Sequence, residues 1–244
     1  MKFISNLKFI LKFFLYPKYY ARVIFNDIRS FFNFKPGKTK TIFIAGYPKS
    51  GTTWMENFTS LIPGYNPRIL NGSREVLMRH DLPQNAFSRI KTYQYSSFKS
   101  HISPSKENIE ILIENNINKI VVMYRDPRDI VLSNYNYVLK NNPWNSSDDH
   151  YADYNLIDRH EGLMHSINMV GDFPKWVDGW YKISKINNNI NCMYVKYEDF
   201  LQNPTIIFQN VLSFYGVKIS TKQFQKIVFT SSNKTKSSFL PQKL

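Results

Sequence analysis

The sequence predicts an α/β fold: a P-loop-like, three-layer domain in which a central parallel sheet is flanked by helices. Three observations carry this. Apolar, β-prone runs at residues 41–45, 120–124 and 192–197 are each followed by a helix-compatible stretch, the alternation that gives parallel strands with crossover helices. The first run passes directly into a glycine-bounded loop and then a helical pattern. The 244 residues suit one such domain with a sizeable core.

The first 37 residues read as a separate amphipathic, basic and aromatic helical segment, and residues 38–244 as the α/β domain. Residues 3–16 are apolar, but Lys8 and Lys12 break the run before it reaches the roughly 20 residues of a membrane span. The same lysines disrupt a secretory apolar region, so neither a transmembrane helix nor a signal peptide is expected. On a helix these two lysines form a stripe opposite Ile4, Leu7, Ile10, Leu11 and Phe14. Two partners satisfy that pattern, a membrane surface touched by residues 1–34 or the domain's own core. Pro36 and Gly37 then punctuate the chain.

After the first strand comes Gly46-Tyr47-Pro48-Lys49-Ser50-Gly51-Thr52-Thr53-Trp54. A strand, a tight loop and a helix start turn backbone N–H groups toward a bound anion, a phosphate or a sulfate. The glycine spacing is that of a Walker A loop, yet Thr52 stands where a nucleoside triphosphatase needs lysine, and the lysine is inside the loop at Lys49. A lysine there faces the bridging side of the bound group and not a triphosphate tail.

Further along, Ser97–His101 forms a possible fourth strand, and residues 63–83 carry Pro- and Gly-bearing loops. Residues 140–160 are polar and turn-rich, the composition of an exposed loop or lid. A net charge of +14 draws anions without saying which. The lone Cys192 excludes a disulfide framework and a cysteine zinc site, and fits a reducing compartment, the cytoplasm. His160, Glu161 and His165 lack the spacing of a zinc helix, and no metal is expected.

Pro48 to Trp54 resembles the 5′-phosphosulfate loop of sulfotransferases that use 3′-phosphoadenosine 5′-phosphosulfate (PAPS). Arg125-Asp126-Pro127-Arg128-Asp129-Ile130-Val131-Leu132-Ser133, after the second run, is similar to that family's 3′-phosphate segment. Tyr197-Glu198-Asp199 resembles its element beside the adenosine, and Gly171-Asp172-Phe173 with Trp176 to Trp180 its structural helix start. The resemblance covers residues 42 to about 236.

It implies a sulfuryl transfer from PAPS to a hydroxyl or amine of a small-molecule, lipid or glycan acceptor. Lys49, Ser50, Gly51, Thr52, Thr53 and Trp54 would hold the 5′ end, Arg125 and Ser133 the 3′-phosphate, and Tyr197 and Thr230 the adenosine. Trp54 would give adenine a stacking face. Among five histidines only His101 ends a strand-like run, in Phe98-Lys99-Ser100-His101, and it is expected as the general base with Lys99 as a second charge. The chain departs from the family pattern at Ser232, where cytosolic members place Phe. It also has no counterpart of the late Arg-Lys-Gly segment, for which Lys234 and Lys236 are the candidate substitutes. A basic, non-enzymatic protein binding nucleic acid or a membrane would not need the glycine spacing, so nucleic acid is not expected as a partner. A P-loop kinase or NTPase would need the missing lysine.

Overall fold

A computed structural model of the protein describes residues 21, 24–25, 27–28, 39–71, 80–90, 94–141 and 158–239, the side chains of residues 141 and 232–239 excepted. The expectations for residues 1–20, for most of the 140–160 loop and for the Lys234 and Lys236 side chains fall outside these residues. In chain order the described elements are β1 (Thr41–Gly46), α1 (Thr52–Thr59), β2 (Tyr65–Pro67), β3 (Tyr95–Ser100), α2 (Lys106–Glu114), β4 (Lys119–Tyr124), α3 (Pro127–Asn141), α4 (Arg159–Met169), α5 (Phe173–Ile186), β5 (Asn191–Lys196), α6 (Tyr197–Gln202), α7 (Pro204–Tyr215) and α8 (Thr221–Phe239).

All strand pairs are parallel, in the order β2-β3-β1-β4-β5. Period-two alternation divides each inner strand between two cores. Phe43, Ala45, Phe98, Ile120 and Val122 pack with Leu112, Trp176 and Trp180 of α2 and α5. Ile42, Ile44, Val121, Met123 and Val195 face Met55, Phe58, Phe208 and Leu212 of α1 and α7. The sheet is therefore the middle of three layers, as the alternating pattern predicts.

The strands of the first, second and third runs lie where expected, with ends shifted by one residue. Lys119 and Asn191 join β4 and β5, and Tyr197 opens a helix. The possible fourth strand is real, begins at Tyr95, and stops one residue short of His101. β2 is an addition inside the stretch read as loops. Its three residues end in Pro67, too short to show alternation, and they are held by β3.

Two contacts tie distant parts of the chain to this sheet. The Tyr215 hydroxyl, fully buried, accepts from Phe43 N at 3.1 Å and lies 2.8 Å from Phe43 O and 3.2 Å from Lys119 O. Asp27 accepts from Arg68 Nη2 at 2.6 and 2.8 Å, from Asn66 Nδ2 at 2.8 Å and from Gln94 Nε2 at 3.1 Å. It thereby clamps the N-terminal segment to the β2–β3 edge. Ile24, Phe25 and Ile28 beside it are exposed. No described helix is long and apolar enough to cross a membrane.

Candidate active site

The strand order places β1 between β3 and β4, the point where the chain switches sides of the sheet. In such sheets ligands settle outside the carboxyl ends of the strands at that switch point. The loop after β1, His101 after β3, Arg125 after β4 and Tyr197 after β5 all meet there.

The loop is shaped by its backbone. Lys49 has φ 69° and Gly51 φ 84°, both left-handed, and Ser50 N donates to Tyr47 O at 3.1 Å. Gly51 is the N-cap of α1 and has no side chain to satisfy the first N–H groups of that helix, which by geometry lack intrahelical acceptors. Trp54 N turns back to Gly51 O at 2.9 Å, and the N–H groups of Thr52 and Thr53 are the ones an anion would meet. A Cβ at Gly51 would overlap ring carbons of Tyr197, so the loop and α6 touch at this residue. Ser50 is fully buried, and its Oγ has no hydrogen-bond partner, as is true of the buried Arg125 Nε. Two orphaned polar groups at the same strand edge fit an anionic ligand.

Arg125 lies across the site. Its guanidinium carbon is 4.4 Å from the centre of the Tyr197 ring, Nη1 is 3.4 Å from Lys49 O, and Nη2 is 3.5 Å from Asp129 Oδ2. Asp126 N donates to Glu198 Oε1 at 3.1 Å, joining the same two strand ends. Ser133 follows two turns into α3, half-buried.

The ammonium of Lys49 stands 3.9 Å over the Tyr137 ring of α3. Burial, and then the charge of Arg125, lowers its pKa below the usual lysine value. Lys99 Nζ bonds Glu56 Oε2 at 2.7 Å and Thr53 Oγ1 at 3.3 Å. His101 Nδ1 donates to Gly46 O at 2.6 Å, which leaves Nε2 as the unprotonated nitrogen. Burial, reinforced by Lys99, His80 and Lys49, pushes its pKa down to about 4 against the opposing bond to Gly46. The imidazole is therefore neutral at pH 7. His80 Nδ1 donates to His101 O at 2.6 Å and fixes the backbone behind it.

Two expected residues, Trp54 and Thr230, are placed with other partners. Trp54 is 7% exposed, with the Phe200 ring tilted against it at 4.0 Å and Tyr197 edge-on at 6.5 Å, so it forms part of the core behind the loop. Thr230 Oγ1 donates to Lys226 O within α8, a helix that packs on α1. Thr52 is buried under the loop, while Thr53 is exposed at its mouth.

Sequence reasoning missed Glu56, Tyr137 and His80. Glu56 could have been found from its place one turn beyond Thr53. Tyr137 had no signal, because its contact with Lys49 joins α3 to the loop only in the folded chain. Tyr47 supports the site from behind, since its hydroxyl bonds the Asp172 carboxylate and its ring meets Phe173 and Trp176 edge-on. Among the described residues no group of three or more His, Cys, Asp or Glu could hold a metal ion.

Comparison with known proteins places the fold and the family. Sulfotransferase 1B1 of Canis lupus familiaris is 24% identical over 206 residues, which cover 78% of this chain and 64% of that protein. Amine sulfotransferase of Oryctolagus cuniculus is 25% identical over 215 residues, covering 82% and 64%. The chain thus spans 64% of the length of each of these relatives. Among solved structures, mouse sulfotransferase SULT7A1 complexed with PAP aligns with a TM-score of 0.59 at 18% identity, over 83% of this chain and 67% of that one. Retinol dehydratase in complex with androsterone and inactive cofactor PAP aligns at 0.53 and 17%, over 79% and 64%. These likenesses show the fold. The family model described as the sulfotransferase domain matches residues 39–244, the whole α/β unit with its loop, and the chain belongs to that family.

Proposed function

We propose that this protein transfers a sulfuryl group from PAPS to a hydroxyl or amine of a small, largely apolar acceptor. The observation that carries the reading is the convergence of the Lys49 loop, His101 and Arg125 at three adjacent strand ends, with the buried Ser50 Oγ and Arg125 Nε lacking partners there. PAPS supplies an activated sulfur with a phosphate leaving group. The loop amides, Ser50, Thr52 and Thr53 hold the 5′-phosphate, and Lys49 neutralises charge that builds on the leaving oxygen. Arg125, with Ser133, grips the 3′-phosphate through a forked geometry that a lysine lacks. Tyr197 and Thr230 border the adenosine, with Trp54 backing that wall.

In the transfer, the acceptor oxygen or nitrogen bonds to sulfur as the sulfur–oxygen bond to the 5′-phosphate breaks. His101 Nε2 takes the acceptor's proton, and the products are the sulfated acceptor and 3′,5′-diphosphoadenosine (PAP). A base held at a pKa of about 4 is weak, because burial and the charges of Lys99 and Lys49 disfavour its charged form. The negative charge of a bound donor offsets those cations and strengthens the base when it is needed. Lys99 supplies a second charge beside the loop. No step of this scheme calls on a metal.

An apolar acceptor is supported by Tyr137 beside Lys49, and by Leu132, Leu139, Met164 and Ile167, all exposed on α3 and α4. Lipid and glycan acceptors share the same chemistry. A cytoplasmic location suits the lone Cys192. Peripheral membrane contact through residues 1–34 draws support from the exposed Ile24, Phe25 and Ile28 beside the Asp27 clamp.

The test is calorimetric titration with PAP and with ATP plus Mg²⁺, alongside radiolabelled PAPS offered with an acceptor panel. Binding of PAP, label transfer by the wild type, and loss of transfer with retained PAP binding in His101→Ala are the expected results. Uptake of ATP with Mg²⁺ and none of PAP would overturn the reading, and turnover retained in His101→Ala would remove His101 as the base.

A further inference from the structure

Each cation expected to meet the donor already has an electron-rich partner in the resting site. Arg125 leans on Asp129, Lys49 on the face of Tyr137, and Lys99 on Glu56. The third pairing is the least expected. In the β1–β3 register Lys99 lies opposite Ile44, on the sheet face that α1 covers, and its ammonium reaches the first turn of that helix at Thr53 Oγ1. A helix N-terminus carries partial positive charge and repels a cation. The Glu56 carboxylate, one turn further along and 2.7 Å from Nζ, offsets that repulsion. The two side chains are each about one-quarter exposed, which leaves them accessible to a ligand at the loop mouth.

We infer that Glu56 is a positioning residue: its carboxylate holds Lys99 at the mouth of the phosphosulfate loop and stands in for the donor's anionic group until the donor arrives. The inference rests on the sulfotransferase reading of the same site. It has two opposed consequences. Glu56 lowers donor affinity, because its negative charge competes with the donor's for Lys99. It raises turnover, because without it Lys99 swings off the helix terminus and is no longer aligned.

The experiment compares the wild type with Glu56→Gln, Glu56→Ala and Glu110→Gln. The last removes one exposed carboxylate on α2, paired with Lys106, and so controls for net charge. PAP affinity is measured by calorimetry at low and at moderate salt, and kcat and KM for PAPS are measured with an acceptor that the wild type accepts. Both Glu56 variants should bind PAP about three- to tenfold more tightly at low salt, a gain that shrinks as salt rises. Glu110→Gln should match the wild type. In Glu56→Ala kcat should fall about tenfold while KM for PAPS also falls. Glu56→Gln, whose amide oxygen still accepts from Lys99, should recover most of kcat. The affinity gain should vanish when Lys99→Met is combined with Glu56→Gln.

PAP binding unchanged in both Glu56 variants, a gain equal to that of Glu110→Gln, or a gain that survives Lys99→Met would overturn the role of Glu56 alone. A wild type that binds no PAP would overturn the sulfotransferase reading and this inference with it.

Discussion

The depressed His101 imidazole makes a prediction about stability that needs no substrate. The perturbation is acid. The folded protein holds the ring at a pKa of about 4 against an ordinary 6.5, so the unfolded chain takes up the proton first as pH falls. More protons bound in the unfolded state means that stability drops on acidification, starting near pH 6.5 and levelling off below about 4. Each pH unit inside that window is worth about 1.4 kcal/mol, which gives about 2 kcal/mol between pH 6.5 and 5 and about 3 kcal/mol over the whole range. Other groups titrate in the same interval, so the assay is a difference. Urea unfolding of the wild type and of His101→Asn, whose amide can still donate to Gly46 O, is followed at half-unit steps from pH 7.5 to 5. The wild type should lose about 2 kcal/mol relative to the variant. A gap that stays constant with pH would refute the argument that the fold holds this ring buried and neutral.

Three further outcomes follow from particular contacts. Gly51→Ala forces a side chain into a left-handed residue and against the Tyr197 ring; we expect it to cost about 2 kcal/mol in thermal unfolding and to abolish calorimetric PAP binding. Arg125→Lys keeps the charge but loses the fork and the stacking on Tyr197, and PAP affinity should fall about 10- to 100-fold with little change in melting temperature. Asp27→Ala strips the half-buried Arg68 of its carboxylate, and scanning calorimetry should record a loss of about 2 kcal/mol, a fall in Tm of about 6 °C, with PAP binding retained.

The layers of this fold were legible in the sequence because inner parallel strands must be apolar on both faces. The runs that became β1 and β4 are apolar on both faces and lie inside the sheet, while the run that became β5 pairs with β4 at its edge. The tight loop after β1 was equally plain, since its glycines and its lysine follow a strand directly. What escaped were features that exist only after the chain has closed. β2 is three residues long and owes its existence to pairing with β3. The Trp54 side chain could face a ligand or the core until Phe200, almost 150 residues later, was seen to cover it. The helical pattern of residues 3–16 named an apolar stripe without its partner, and those residues lie outside the described ones. His101 could be picked out by its neighbours in sequence, but not its depressed pKa, which comes first from burial in the folded chain, with Lys99 beside it and Lys49 from the loop after β1 adding to it.

The hydroxyl of Tyr215 meets the first strand 172 residues upstream of it, on both the amide and the carbonyl of Phe43. During synthesis, β1 therefore leaves the ribosome long before the partner that completes its hydrogen bonding. Such long-range closure is slow, and it exposes apolar strand surface while the chain waits. A nascent chain halted ahead of α7 would carry an unfinished sheet, and the cell's chaperones would meet it before any donor nucleotide could.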